Sequence, residues 1–153
     1  MTEEISMFML THMITSFIAS AGFGVLFNAP KKSLLKCGFV GMVGWFVYIG
    51  LVNWQYDAVI SSLIAAFTIA VISQVFARMY KTPIIIFSVA GIIPLVPGGI
   101  AYNAMRNFVE NDYNMAIQLA AKAFMISGAI AVGLVISEVI NQMIRNVQFR
   151  SKS

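Results

Sequence analysis

An all-α bundle of five membrane-crossing helices is the architecture that hydropathy and charge dictate for this chain. Of its 153 residues, 59% are hydrophobic and only 10% charged, against roughly a quarter charged in an ordinary soluble domain. Mean hydropathy is +0.85, and a soluble core has nowhere to bury so much apolar surface. The apolar residues come in runs of about 20, the length a helix needs to cross a hydrocarbon core. The basic residues fall in short loops between those runs. That placement is a topology signal, so the net charge of +4 points to the lipid bilayer and not to nucleic acid.

The expected spans are 5–27, 34–52, 58–77, 83–102 and 115–144, with no soluble domain around them. The first ends at Asn28-Ala29-Pro30, where proline stops the helix and Asn28 suits the turn. The second follows Lys31, Lys32 and Lys36, and the third ends at Arg78 and Lys81. The fourth starts near Pro83 and is broken at Pro94-Leu95-Val96-Pro97-Gly98-Gly99, with a new helix beginning near Gly99 or Ile100. Proline deletes a backbone donor and glycine loosens a helix, and in hydrocarbon every freed polar group must be satisfied by protein or by water in a cavity. Broken helices of this kind line transporter sites, while a simple proline kink shaping the packing is the plainer alternative. The fifth span closes the chain near Ile144.

Charge orients the five spans. Lys31, Lys32, Lys36, Arg78, Lys81, Arg145, Arg150 and Lys152 share one side. Glu3, Glu4, Asp57, Glu110 and Asp112 share the other, with Arg106 the one basic residue among them. Positive-inside bias puts the N-terminus outside and the C-terminus in the cytoplasm. Glu3, Glu4 and the missing basic n-region argue against a cleavable signal peptide. Trp45, Trp54, Tyr48, Tyr56, Tyr102 and Tyr113 are expected at the outer interface. Small-residue stripes mark the packing faces: His12, Ser16, Ser20 and Gly24; Gly38, Gly41 and Gly44; Ser62, Ala66, Ala70 and Gln74; Ala129, Gly133, Ser137 and Asn141. So many stripes on so few helices imply a partner or self-association, and a lone five-helix unit looks like one half of a transporter.

Motifs for catalysis are missing: no GxxxxGK[ST], no HExxH, no CxxC, one histidine and one cysteine, Cys37. Neither an enzyme, a cofactor nor a metal site is expected. Three ionisable residues fall within spans. Lys122 lies eleven residues before Gly133 and so returns to within about 20° of it, which would turn it inward as a counter-charge; the alternative is that its stem snorkels to the headgroups. His12 is a weaker proton-relay candidate, with a hydrogen-bonded packing role as the alternative. Glu138 lies opposite Lys122 near the cytoplasmic end. After the break, Asn103 and the first-turn N–H groups at Gly98 and Gly99 are candidates to meet a carboxylate.

Two stretches carry a resemblance. Gly22-Phe23 through Phe27-Asn28-Ala29-Pro30 reads G-F-x-x-x-F-N-x-P, and Pro94 through Tyr102 reads P-x-x-P-G-x-x-x-Y. Together they resemble the bacterial threonine/serine exporter family, and within it the small membrane component. The resemblance implies a secondary exporter in the inner membrane for threonine or serine, or for succinate-like dicarboxylates. It also implies a larger partner supplying five more helices and a soluble N-terminal domain. Carried over residue by residue are Asn28, Pro30, Pro94, Pro97, Gly98 and Tyr102; Lys122 belongs to neither motif. The rival expectations are an assembly subunit with no substrate site of its own and a homo-oligomeric channel.

Overall fold

The computed structural model describes the backbone of residues 2–150 and the side chains of residues 7–144. The side chains of Glu3, Glu4, Arg145 and Arg150, and the whole of Lys152, lie outside the described residues. Six α-helices run among the described residues: α1 (Thr2–Leu26), α2 (Lys31–Asn53), α3 (Ala58–Tyr80), α4 (Ile85–Ile92), α5 (Gly98–Val109) and α6 (Tyr113–Arg150). A 3-10 turn, Ile93–Leu95, joins α4 to α5. Four stretches are individually long and apolar enough to cross a membrane: Met7–Leu26, Lys31–Asn53, Ala58–Tyr80 and Tyr113–Ile144. Ile85–Leu95 and Gly98–Val109 pass that test only as a pair, bent by 49°. The chain is thus a multi-pass, all-helical membrane protein.

Helix ends are set by local chemistry. Asn28, Gln55, Lys81 and Asn111 each take a left-handed φ between 52° and 65° within two residues of a helix end. In every case the following N–H reaches back across the last turn, as in Ala29 to Gly24 at 2.9 Å and Asp112 to Asn107 at 2.9 Å. This is the Schellman closure, and asparagine accepts its left-handed residue at little cost. Asp57 caps α3 by accepting from Val59 N at 2.9 Å, and Asp112 caps α6 by accepting from Met115 N at 3.1 Å. The helix after the break outlasts the expected boundary at residue 102. Its outward face is polar and self-paired, with Arg106 donating to Glu110 at 2.9 Å one turn on, so α5 continues to Val109.

The core lies where α2, α3 and α4 meet. Cys37, Val40, Ala65, Ala66, Ile69 and Phe87 are fully buried. Glycines let the backbones close up there: a Cβ on Gly44 would strike Ile69, and one on Gly91 would sit 2.7 Å from Val40 Cγ1. The expected glycine stripe of α2 is therefore a packing face. α1 packs on α2 as a hairpin, and α5 packs on α6 as a second hairpin.

α3 and α6 run parallel. Gly133 sits against the Leu63 carbonyl and Phe67 N, Gln74 reaches Ser137, and Arg78 reaches Asn141, so both chains advance together. A Cβ at Gly133 would lie 2.6 Å from that carbonyl, so the residue type fixes this interhelical distance.

Candidate functional site

The break folds as the proline pattern demands. Pro94 sits in the 3-10 turn, Val96 is extended, and Pro97 (φ −77°, ψ 48°) closes a tight turn in which Gly98 N donates to Val96 O at 2.8 Å. This is close to an inverse γ-turn. α5 then begins at Gly98, and its first intrahelical bond to the break is Ala101 N to Pro97 O at 3.0 Å. The N–H groups of Gly99 and Ile100 have no backbone partner, as expected for a helix's first turn.

Those two residues line a cavity of about 280 Å³ together with Pro94, Pro97 and Asn103. Its opposite wall is Trp45 and Tyr48 of α2, stacked with ring centroids 5.1 Å apart, and Ile126 of α6 closes one side. No charged side chain lines it. The two aromatics are the residues that sequence reasoning did not assign to the site: both were expected only in an outer belt, a position that lining this cavity does not exclude. A belt residue and a cavity wall want the same amphipathic ring, so the sequence offered no signal to separate them.

His12 is tied to this wall at second hand. Trp45 Nε1 donates to His12 Nδ1 at 3.3 Å, and Phe8 meets the imidazole edge-on at 4.2 Å. Accepting at Nδ1 requires a neutral ring with its proton on Nε2.

Lys122 is exposed, which corrects the expectation that it faces the bundle. The angular argument on α6 holds, but the neighbour at that height is α5, and it draws the packed face round to Ala116 and Ala123. Lys122 is about 100° away from Ala123. Lys122 lies nineteen positions before Asn141, about 28 Å of helix and close to the roughly 30 Å thickness of a hydrocarbon core. Glu138 accepts from Gln142 at 3.3 Å and touches none of these residues. Tyr102 and Gly98 are exposed; Asn28 and Pro30 form the α1–α2 turn, remote from the break in sequence.

A roomier cleft of about 460 Å³ opens between α5 and α6, but its walls are alanines, Met105, Phe108, Ile117 and Phe124, with one hydroxyl, Ser127. It offers nothing to hold a polar molecule. Among the described residues no group of three or more His, Cys, Asp or Glu is placed to hold a metal.

A polytopic helical bundle with a proline-broken segment beside a polar-edged cavity is the build of a membrane transport protein. The family model described as Threonine/Serine exporter, ThrE matches residues 12–140. The chain belongs to the threonine/serine exporter family. No solved structure matches it.

Proposed function

We propose that this chain is one half of a secondary exporter for small amino acids, with its substrate held at the break between α4 and α5. The observation that carries the reading is the cavity itself. Gly99 and Ile100, whose N–H groups have no backbone partner, line it together with the rings of Trp45 and Tyr48. A zwitterion fits that pair: the carboxylate takes the helix N-terminal donors, and the ammonium takes the aromatic faces. The Asn103 amide, one turn further along α5, suits a side-chain hydroxyl. Threonine and serine have all three groups. Succinate would press its second carboxylate against aromatic faces with no cation in the lining, so the amino acid is favoured over the dicarboxylate.

Five crossings are the topology that agrees with parallel α3 and α6. A re-entrant α4–α5 would return the chain to the side where α3 ended, and α6 would then run antiparallel to it. Crossing at the bent pair instead delivers the chain to the far side. With Lys31, Lys32, Lys36, Arg78 and Lys81 on one side, that side is cytoplasmic and the N-terminus is outside the inner membrane. Exposed Phe124, Met125 and Val132 on the long helix, beside Gly128 with open space at its Cβ, support an association surface for the second half. That half is a larger subunit with a soluble domain, or a second copy of this chain. Lys122 is left out of the binding set and read as an outer headgroup anchor; His12 sets the position of Trp45.

Trp45 provides the test. It is one of two tryptophans, so Trp54→Phe leaves it as the sole reporter. Threonine or serine should change its fluorescence saturably, and succinate should not. No change with either amino acid, with the partner subunit present, would remove the site from this chain and leave it an assembly subunit.

A further inference from the structure

A separate groove runs between α3 and α6. It holds about 190 Å³ and is lined along α3 by Phe67, Val71, Gln74, Val75 and Arg78. Along α3 it passes from apolar to charged, while on α6 Ile140 and Ile144 flank Asn141 at the charged end. Phe67 and Val71 form the apolar end, and Gln74 with Ser137 the middle, where Gln74 Nε2 donates to Ser137 O at 3.2 Å and to Oγ at 3.1 Å. Arg78 forms the other end, donating to Asn141 Oδ1.

Three features narrow the occupant. From Phe67 to Arg78 the groove is about 16 Å tall, which is about half a hydrocarbon core and therefore one leaflet. Its charged end lies on the side of Lys36 and Lys81, where the loop residues are basic. And Arg78 is held by a neutral amide, not a carboxylate. Among the described residues the one ion pair is Arg106 with Glu110, and Glu138, the one acidic residue of α6, does not line the groove. A guanidinium has five N–H donors, and Asn141 takes one.

We infer that this groove is a binding site for an anionic phospholipid of the leaflet on the basic side. The phosphodiester takes the open donors of Arg78, the ester region lies level with Gln74, and one acyl chain runs along Val75, Val71 and Phe67. Charge at the interface and an apolar slot of about 12 Å behind it fit a headgroup and the upper part of a lipid chain, whereas a free carboxylate metabolite would leave the apolar end empty. The site clamps the two parallel helices together and is independent of the cavity at the break.

The test is native mass spectrometry of the purified full chain, released from detergent after incubation with dioleoyl phosphatidylglycerol or dioleoyl phosphatidylcholine. The native protein should retain phosphatidylglycerol in preference to phosphatidylcholine. Arg78→Gln should lower that retention about tenfold and abolish the preference. Val75→Trp fills the apolar slot while keeping the charge, and should lower retention of both lipids, so the inference stays testable if Arg78→Gln folds poorly. Equal phosphatidylglycerol retention by the native protein and both variants would overturn it. So would displacement of the lipid by millimolar threonine, serine or succinate, which would give the groove to a metabolite carboxylate. Since no flux is measured, a failure here leaves the transport site untouched, and the reverse holds too.

Discussion

Two sets of glycines in this molecule obey different rules. At Gly41, Gly44, Gly91 and Gly133 a Cβ would collide with Ser20, Ile69, Val40 or the Leu63 carbonyl. These residues are glycine because a neighbouring helix occupies the space. At Gly98 and Gly99 a Cβ would meet nothing within 4 Å, and neither has a positive φ. Nothing in the fold requires glycine there. Gly22, Gly50 and Gly128 are open in the same way, so open space by itself assigns no role; under the proposed function, the two at the break leave room for a substrate to approach the backbone of the first turn of α5.

That contrast can be broken from either side. The largest stability loss is expected at Ile69→Ala, which empties the space between Gly44 and Gly91; about 2–5 kcal/mol should be lost, seen as a lower unfolding midpoint in detergent. Gly133→Ala should cost roughly 1–3 kcal/mol, because its new methyl meets a backbone carbonyl that cannot rotate away. Trp45→Phe removes the donor to His12 and should cost about 1 kcal/mol; it should also weaken threonine binding, which a purely structural Trp45 would not do. Gly98→Ala with Gly99→Ala should leave the midpoint unchanged or raise it by up to about 1 kcal/mol, since alanine is the better helix former. A collapse of that variant would put the two sets under one rule.

The topology can be tested separately in a Cys37→Ser background, which removes the sole cysteine. Cysteines placed at Thr82 and Asn111 should react with a membrane-impermeant thiol reagent from opposite sides. Reaction from the same side would make α4–α5 a re-entrant loop.

Much of the fold was legible because hydropathy is a strong signal: four helices coincide with apolar runs, and Pro94 and Pro97 announce the break. The end of α5 was not legible: a helix beginning near Gly99 or Ile100 was expected, but the apolar span closes at residue 102, and only the folded helix shows the Arg106–Glu110 pair on its way to Val109. Lys122 shows a second limit. An eleven-residue return fixes a direction on its own helix, but not which neighbour stands at that height. The candidate cavity was half legible, since the Pro-Gly wall is written in the sequence. Its aromatic wall comes from α2, some fifty residues earlier, and only packing brings it there.

One measurement weighs most on the central claim: threonine efflux from cells or vesicles holding the Gly98→Ala, Gly99→Ala variant with its partner, at matched protein level and unfolding midpoint. The expected result is efflux at least about tenfold below the native protein, a loss of over about 1.4 kcal/mol from the transport step alone. Native efflux from that stable variant would contradict a substrate site at the break and return Pro94 to Gly99 to a bend that only shapes the packing.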